Sequence, residues 1–285
     1  MQVRFPADTF TSPPMTFDLS LALALIALGV SSGFLAGLLG IGGGMVMVPF
    51  ITAIMSGQGV DADTAIKMAL ATSMAAIVFT SVSSVRAHHQ RGAVRWDLVR
   101  VMTVGIVIGA AIASLGIFNV LKGRSLALLF AAFVGFSATQ LFLDKKPKPG
   151  RTLPAALGLV GAGTVVGMVS GLVAAGGAFM SIPFMTWCNV PVIQAVATSA
   201  ALGFPVALAN VMGYTASGFG LPGLPPYSFG YIWLPALAVI ASCSVLTAPW
   251  GASAAHRLPV ARLKRVFALV LYMLAVYMLY RGLAP

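Results

Sequence analysis

Glutamate is absent from this sequence, and aspartate occurs only at Asp8, Asp18, Asp61, Asp63, Asp97 and Asp144. All six aspartates fall in loops or at the expected ends of helices. A carboxylate relay or an acidic cation site in mid-membrane is therefore excluded. Cysteine is nearly missing as well. Cys188 and Cys243 stand alone in apolar context, which rules out a disulfide framework and a CxxC metal pair and reads as two small buried side chains. Charge of any sign is scarce, at 8% of residues against about 25% in ordinary globular chains. No Asp, Lys or Arg occurs from Leu19 to Val60 or from Thr152 to His256. No Ser/His/Asp arrangement falls within the apolar stretches, and no ATP-binding motif is found.

What is present is apolar surface. Hydrophobic residues make up 59% of the chain, and the mean hydropathy is +0.97. No soluble core hides that much, and the uncharged runs exceed the ~20 residues of one bilayer crossing. The chain reads as an all-α polytopic membrane protein, not a barrel of short alternating strands. The formal charge of +11 does not signal nucleic acid, because the basic residues sit in short loops where membrane topology explains them. Met1–Ser20 holds one Arg before an apolar stretch. No A-x-A cleavage site stands out, so the expectation is that no leader is removed.

Charges, prolines and turn residues predict ten helical pieces, near 18–39, 45–57, 63–85, 98–120, 124–143, 153–174, 179–188, 192–216, 229–252 and 260–281. Two of them, 45–57 and 179–188, are too short to span, and both follow a glycine cluster. That coincidence is an internal repeat. Gly33–Ile51 reads GFLAGLLGIGGGMVMVPFI and Gly167–Met185 reads GMVSGLVAAGGAFMSIPFM, with seven of nineteen positions identical. Further on, ALATS (Ala69–Ser73) answers AVATS (Ala195–Ser199). Two homologous halves are expected, 1–143 and 152–285, joined by the charged cytoplasmic linker 144–151.

Basic residues set the relative orientation. Arg86, Arg91, Arg95 and Arg100 follow the third piece, Lys145, Lys146, Lys148 and Arg151 form the linker, and Arg257, Arg262, Lys264 and Arg265 precede the last piece. The uncharged loop Gly218–Gly230 corresponds to Arg86–Arg100, so the enrichment swaps sides between halves. With five elements per half, twelve of the seventeen Lys and Arg fall on one face, which predicts inverted repeats. The pieces flanking each glycine cluster are either two crossings or a re-entrant hairpin; both invert.

The glycines divide into two kinds. Gly33, Gly37, Gly105, Gly109, Gly167 and Gly171 form small-xxx-small pairs, which let helices approach closely. Three adjacent glycines, Gly42, Gly43 and Gly44, cover every side of a helix, so one packing face does not explain them. They read as a chain break, with Pro49 in the first turns of a new helix where its missing N–H costs least. Gly176, Gly177, Ala178 and Pro183 repeat the pattern. Broken backbone inside a bilayer is tolerated where it is buried in protein or lines a polar cavity, and a helix opening there presents N–H groups and a positive dipole end to an anion. Breaks in both halves point to one transport site near the midplane. Thr72, Ser73, Thr198 and Ser199 of the paired ATS motifs are candidate side-chain ligands, with Asn210 on the same helix as Thr198. His88 and His89 read as a solvated basic loop.

With both glycine-proline blocks followed by ATS, the basic loop HHQRGAVRWDL and the second-half GLP…PYSFGYIWLPA, the sequence resembles the TauE/SafE family of membrane permeases, the sulfite exporter family. The resemblance covers both halves. It implies transport of a small sulfur-containing anion, such as sulfite, a sulfonate or a related organosulfur acid, across a bacterial inner membrane, with no cofactor. The family's paired motifs fall on Gly42–Gly44 with Pro49 and on Gly176–Gly177 with Pro183. The second half departs from the first, with Ala174, Ala175 and Ala178 standing where Gly40, Ile41 and Gly44 stand. Two other readings stay open: an assembly protein whose glycines serve helix packing alone, and a membrane-embedded enzyme using Cys188, Cys243 or His88. The anion, the direction, the coupling ion and the oligomeric state are left open.

Overall fold

The computed structural model describes residues 18–39, 43–143, 150–254 and 260–283. Gly42, the neighbouring Gly40 and Ile41, and linker residues 144–149 lie outside them. Ten helices follow in order: α1 (Leu19–Leu39), α2 (Gly44–Gly57), α3 (Ala62–His89), α4 (Trp96–Val120), α5 (Gly123–Leu143), α6 (Ala156–Val173), α7 (Ala178–Trp187), α8 (Val192–Gly218), α9 (Leu234–Ala254) and α10 (Val260–Leu283). Among the described residues, eight are long and apolar enough to cross a membrane, and α2 and α7 are not among them. The protein is a multi-pass membrane protein. Two features went unforeseen: a π-helical stretch, Ile112–Ile117, within α4, and a two-stranded hairpin before α9, β1 (Ser228–Phe229) with β2 (Ile232–Trp233).

Local chemistry sets the helix starts. Asp18 accepts from the Leu21 amide at 2.8 Å, and Asp61 from the amides of Asp63 and Thr64 at 3.2 and 2.8 Å, the bonding of an N-cap. Partial burial pushes the Asp61 carboxyl up, but the bonds at Thr64 and Asp63 outweigh it and hold the group below the usual carboxylate range. Gly92 (φ +64°) and Gly230 (φ +57°) turn the chain shortly before α4 and α9.

Helices α3 and α8 form the centre: 72% of the membrane window of α3 is buried, against 33% for the peripheral α10. Around that pair, α1 packs on α9 and α4 on α6, while α5 packs on α10. Glycine makes these approaches possible. A Cβ on Gly33 would strike Ser244 backbone, on Gly37 the Ala248 carbonyl, on Gly105 the Val160 carbonyl and on Gly109 the Thr164 carbonyl. Gly167 is pressed in the same way on Ile106, and Gly171 on the Asn210 side chain. The small-xxx-small glycines thus do what their spacing predicts. Contacts step evenly along both pairs, Gly33 with Ser244 then Gly37 with Ala248, and Gly105 with Val160 then Gly109 with Thr164. Each of those pairs therefore runs parallel.

Two bonds tie the centre across the halves. Thr72, early in α3, accepts from the Trp233 amide that leads into α9, and Thr198, early in α8, accepts from the Arg95 amide that leads into α4, both at 3.0 Å. Since α9 follows α8 and α4 follows α3, these bonds set α3 and α8 antiparallel.

Candidate functional site

Each half contains one helix break, built alike. Gly43 (φ +73°, ψ −9°) precedes α2, and Gly177 (φ +80°, ψ −16°) precedes α7, both in the left-handed region that favours glycine. The Gly43 carbonyl accepts from Val46 and Met47 at 3.1 and 3.3 Å, and the Gly177 carbonyl from Met180 and Ser181 at 3.2 and 2.9 Å. Pro49 and Pro183 are each the sixth residue of their helix. That is the second turn, not the helix start, so each proline lacks the N–H that would bond the carbonyl four residues back, at Met45 and Phe179. With ten residues, α7 is about 15 Å long, half of a ~30 Å hydrocarbon core. It ends where α6 began, since the amides of Gly150 and Arg151 both donate to the Trp187 carbonyl at 3.3 Å. The pair α6–α7 therefore enters and leaves at one face, with its break well inside.

The two breaks touch. A Cβ on Gly44 would strike the carbonyl of Ala174, the residue that ends α6 in a left-handed turn at φ +46°. The same Cβ would lie 2.8 Å from Ile77 Cδ1. Ile77 lines a small cavity of about 10 Å³, room for about one water molecule. Helix α3 contributes Ile77, Thr80, Ser81 and Ser84 to its wall, α8 contributes Ala200 and Gly203, α1 contributes Ala36, and the second break contributes Gly176.

Of the residues singled out from sequence, Gly176 lines this cavity, and the buried Gly177 and Ala178 follow it directly in the chain. Gly43 and Gly44 are buried on the side of the first break. Ser73 is buried, and its Oγ has no hydrogen-bond partner among the described residues. Ser199 accepts from Ser181 Oγ at 2.8 Å. Asn210 donates to the Val206 carbonyl at 2.8 Å while its Oδ1 is buried without a partner. Thr72 and Thr198 are engaged by backbone amides, as described above. His88 corrects the expectation of a solvated loop: it is 4% exposed in the last turn of α3, and only His89 is exposed, accepting from Trp96 Nε1 at 3.1 Å.

Sequence reasoning missed the hydroxyl face of α3. Thr80, Ser81 and Ser84 continue the line of Ser73 and Ile77 at helical three- and four-residue steps. Thr80 Oγ1 lies 2.7 Å from Ser244 Oγ on α9, and Ser81 Oγ donates to the Val78 carbonyl at 2.9 Å. Ser84 Oγ is buried with no partner. The one cation placed well inside α3, Lys67, sits over the rings of Phe118 and Tyr231, 5.4 and 5.9 Å from their centroids. It is thirteen residues, about 20 Å along the helix, from Thr80.

A family model described as sulfite exporter TauE/SafE matches residues 25–278. A probable membrane transporter protein of Haemophilus influenzae is 36% identical over 257 residues, covering 90% of this chain and 97% of the relative. Probable membrane transporter proteins of Methanocaldococcus jannaschii and Bacillus subtilis are 25% and 23% identical, covering 93% and 91% of this chain and 98% and 97% of their own lengths. No solved structure matches the chain.

Proposed function

The chain belongs to the sulfite exporter TauE/SafE family, a family of membrane transporters and not of enzymes, and from that premise we propose that it is a secondary transporter. Its cargo is a small sulfur-containing anion, sulfite, a sulfonate or a related organosulfur acid, carried through a midplane site between two inverted halves, 1–143 and 152–285, joined by the linker 144–151. The observation that carries this reading is the meeting of the two breaks. Left-handed glycines open α2 and α7 deep in the protein, the breaks press on each other at Gly44 and Ala174, and a small cavity carrying the hydroxyls of Thr80, Ser81 and Ser84 lies beside them. The antiparallel setting of α3 and α8 supports the inversion.

The family name motivates the sulfur anion, and neutral hydroxyl and backbone donors suit an anion better than a bare cation. Gly43 and Gly44 with Pro49, and Gly176, Gly177 and Ala178 with Pro183, form the backbone of the site, with Ser73, Ser199 and Asn210 as its polar lining. Radiolabelled sulfite and methanesulfonate flux into proteoliposomes is the direct test. Saturable uptake above protein-free vesicles is expected; monodisperse, folded protein that moves no small anion would sink the proposal.

A further inference from the structure

We infer that the site selects singly charged oxyanions over doubly charged ones, so that sulfite is carried as bisulfite; this rests on the transporter reading above. Four observations converge. The cavity is lined by three hydroxyls, two glycines and alkyl groups, and no charged side chain lines it. Among its donors, Ser84 is 3% exposed with an unpartnered Oγ at the cavity wall, a buried polar group whose desolvation is left uncompensated until a ligand arrives. The charged groups on α3 and just beyond it are engaged or directed elsewhere: Arg91 donates to the Ala252 carbonyl and to Ser253 Oγ, both at 3.2 Å. Lys67 is held by aromatic rings thirteen residues from Thr80, and Arg86 is exposed, two residues beyond Ser84 and off its face. Helix α8 and the break residues bring no charge, and neither do α1 and α9 over their described residues.

What positive field there is comes from the backbone. The openings of α2, beside Ile77, and of α7, after Gly176, each carry roughly half an elementary charge, about one charge in total. That matches a monoanion. Desolvation cost grows with the square of the charge, so a dianion would face about a fourfold penalty with no matching gain. The remaining titratable group near the wall is His88, buried one turn beyond Ser84 on the same face, and the test must separate it from the substrate.

Proteoliposomes holding the full chain are assayed with sulfite, which changes from bisulfite to the dianion near neutral pH, with methanesulfonate, a monoanion throughout, and with sulfate, a dianion throughout. Above the second ionisation of sulfite, its flux should fall about tenfold per pH unit, while methanesulfonate flux stays level and sulfate stays at background. Ser84→Ala should fold normally, since it removes an unpartnered hydroxyl, yet weaken methanesulfonate uptake about tenfold. Sulfite flux that holds or rises into the alkaline range, or sulfate moving as fast as methanesulfonate, would overturn monoanion selection and leave the transporter intact. A parallel fall of methanesulfonate would overturn it too, by assigning the titration to the protein. No flux of any anion by folded protein would overturn the transporter reading itself.

Discussion

The break before α2 and the break before α7 share a backbone conformation and differ in what surrounds it. Gly43 and Gly177 have nearly the same φ and ψ, and their carbonyls accept from the amides at the same two positions of the following helix. Yet a Cβ on Gly43 would lie 2.7 Å from the Ser32 carbonyl oxygen, while one on Gly177 would meet only side chains, Val166 Cγ1 at 3.0 Å first. One residue on, Gly44 faces the Ala174 carbonyl, whereas Ala178 carries its Cβ in place, fully buried. The glycine excess of the first half thus follows from packing of backbone on backbone. In the second half, side chains surround the same turn and alanines fit.

The sharpest way to break that comparison is at Gly44. Gly44→Val places branched atoms between the Ala174 carbonyl, which cannot rotate away, and the buried Ile77 side chain, and is expected to cost about 3 kcal/mol and to abolish flux. The equivalent change in the other break, Ala178→Gly, is expected to cost no more than about 1 kcal/mol. Thermal unfolding in detergent, read beside proteoliposome uptake, checks both. Similar losses in the two variants would show that the breaks are not differently packed.

A smaller difference is expected between Gly43→Ala and Gly177→Ala. Each places a Cβ in the left-handed region, at about 1–2 kcal/mol. Gly43→Ala adds a contact with backbone that cannot rotate away, so its midpoint in a denaturant series should fall by about twice as much. Equal midpoints would mean that Ser32 moves aside.

Much of the fold was legible because apolar length, proline and glycine speak locally. All ten expected helical pieces are present, and the packing glycines meet the helices that their spacing needs. The cavity was less legible, and the repeat itself explains why. Recurrence directs attention to what both halves keep, Thr72 with Thr198 and Ser73 with Ser199, and the two threonines recur with a structural cause, each bonding an amide of the other half. The hydroxyl face is not shared: the second-half positions equivalent to Thr80 and Ser81, at the offset of the ATS motifs, are Val206 and Ala207. His88 was misjudged because flanking charge describes a loop, while its own position continues the buried face of α3 into the last turn. The hairpin Ser228–Trp233 left no periodic signal, being two residues per strand.

The crossed threonine bonds offer the next comparison. Thr72→Val leaves the Trp233 amide without its acceptor at a residue 2% exposed, whereas Thr198→Val does the same at Arg95, which is partly exposed and open to water. Unsatisfied buried donors cost about 1–3 kcal/mol, so Thr72→Val should lower the unfolding midpoint clearly and Thr198→Val by less than half as much. The reverse order would place water at Trp233 and protein at Arg95.

The smallest effect is expected at Ala174, and its sign is the informative part. Its φ of +46° puts a Cβ in a region that costs L-residues roughly 1–2 kcal/mol. Gly40, the equivalent residue of the first half, carries no such atom. Ala174→Gly relieves that strain but gives back conformational freedom in the unfolded chain, about 0.4–1 kcal/mol for this exchange. The net expectation is a gain of about 0.5 kcal/mol, measured as a small rise in the thermal midpoint with flux unchanged. The Ala174 carbonyl, and not its side chain, is what meets Gly44, so the contact between the breaks survives the substitution. A fall in the midpoint would mean that the Ala174 methyl, fully buried, contributes more packing than its backbone strain costs, and that alanine at the second break stabilises the fold.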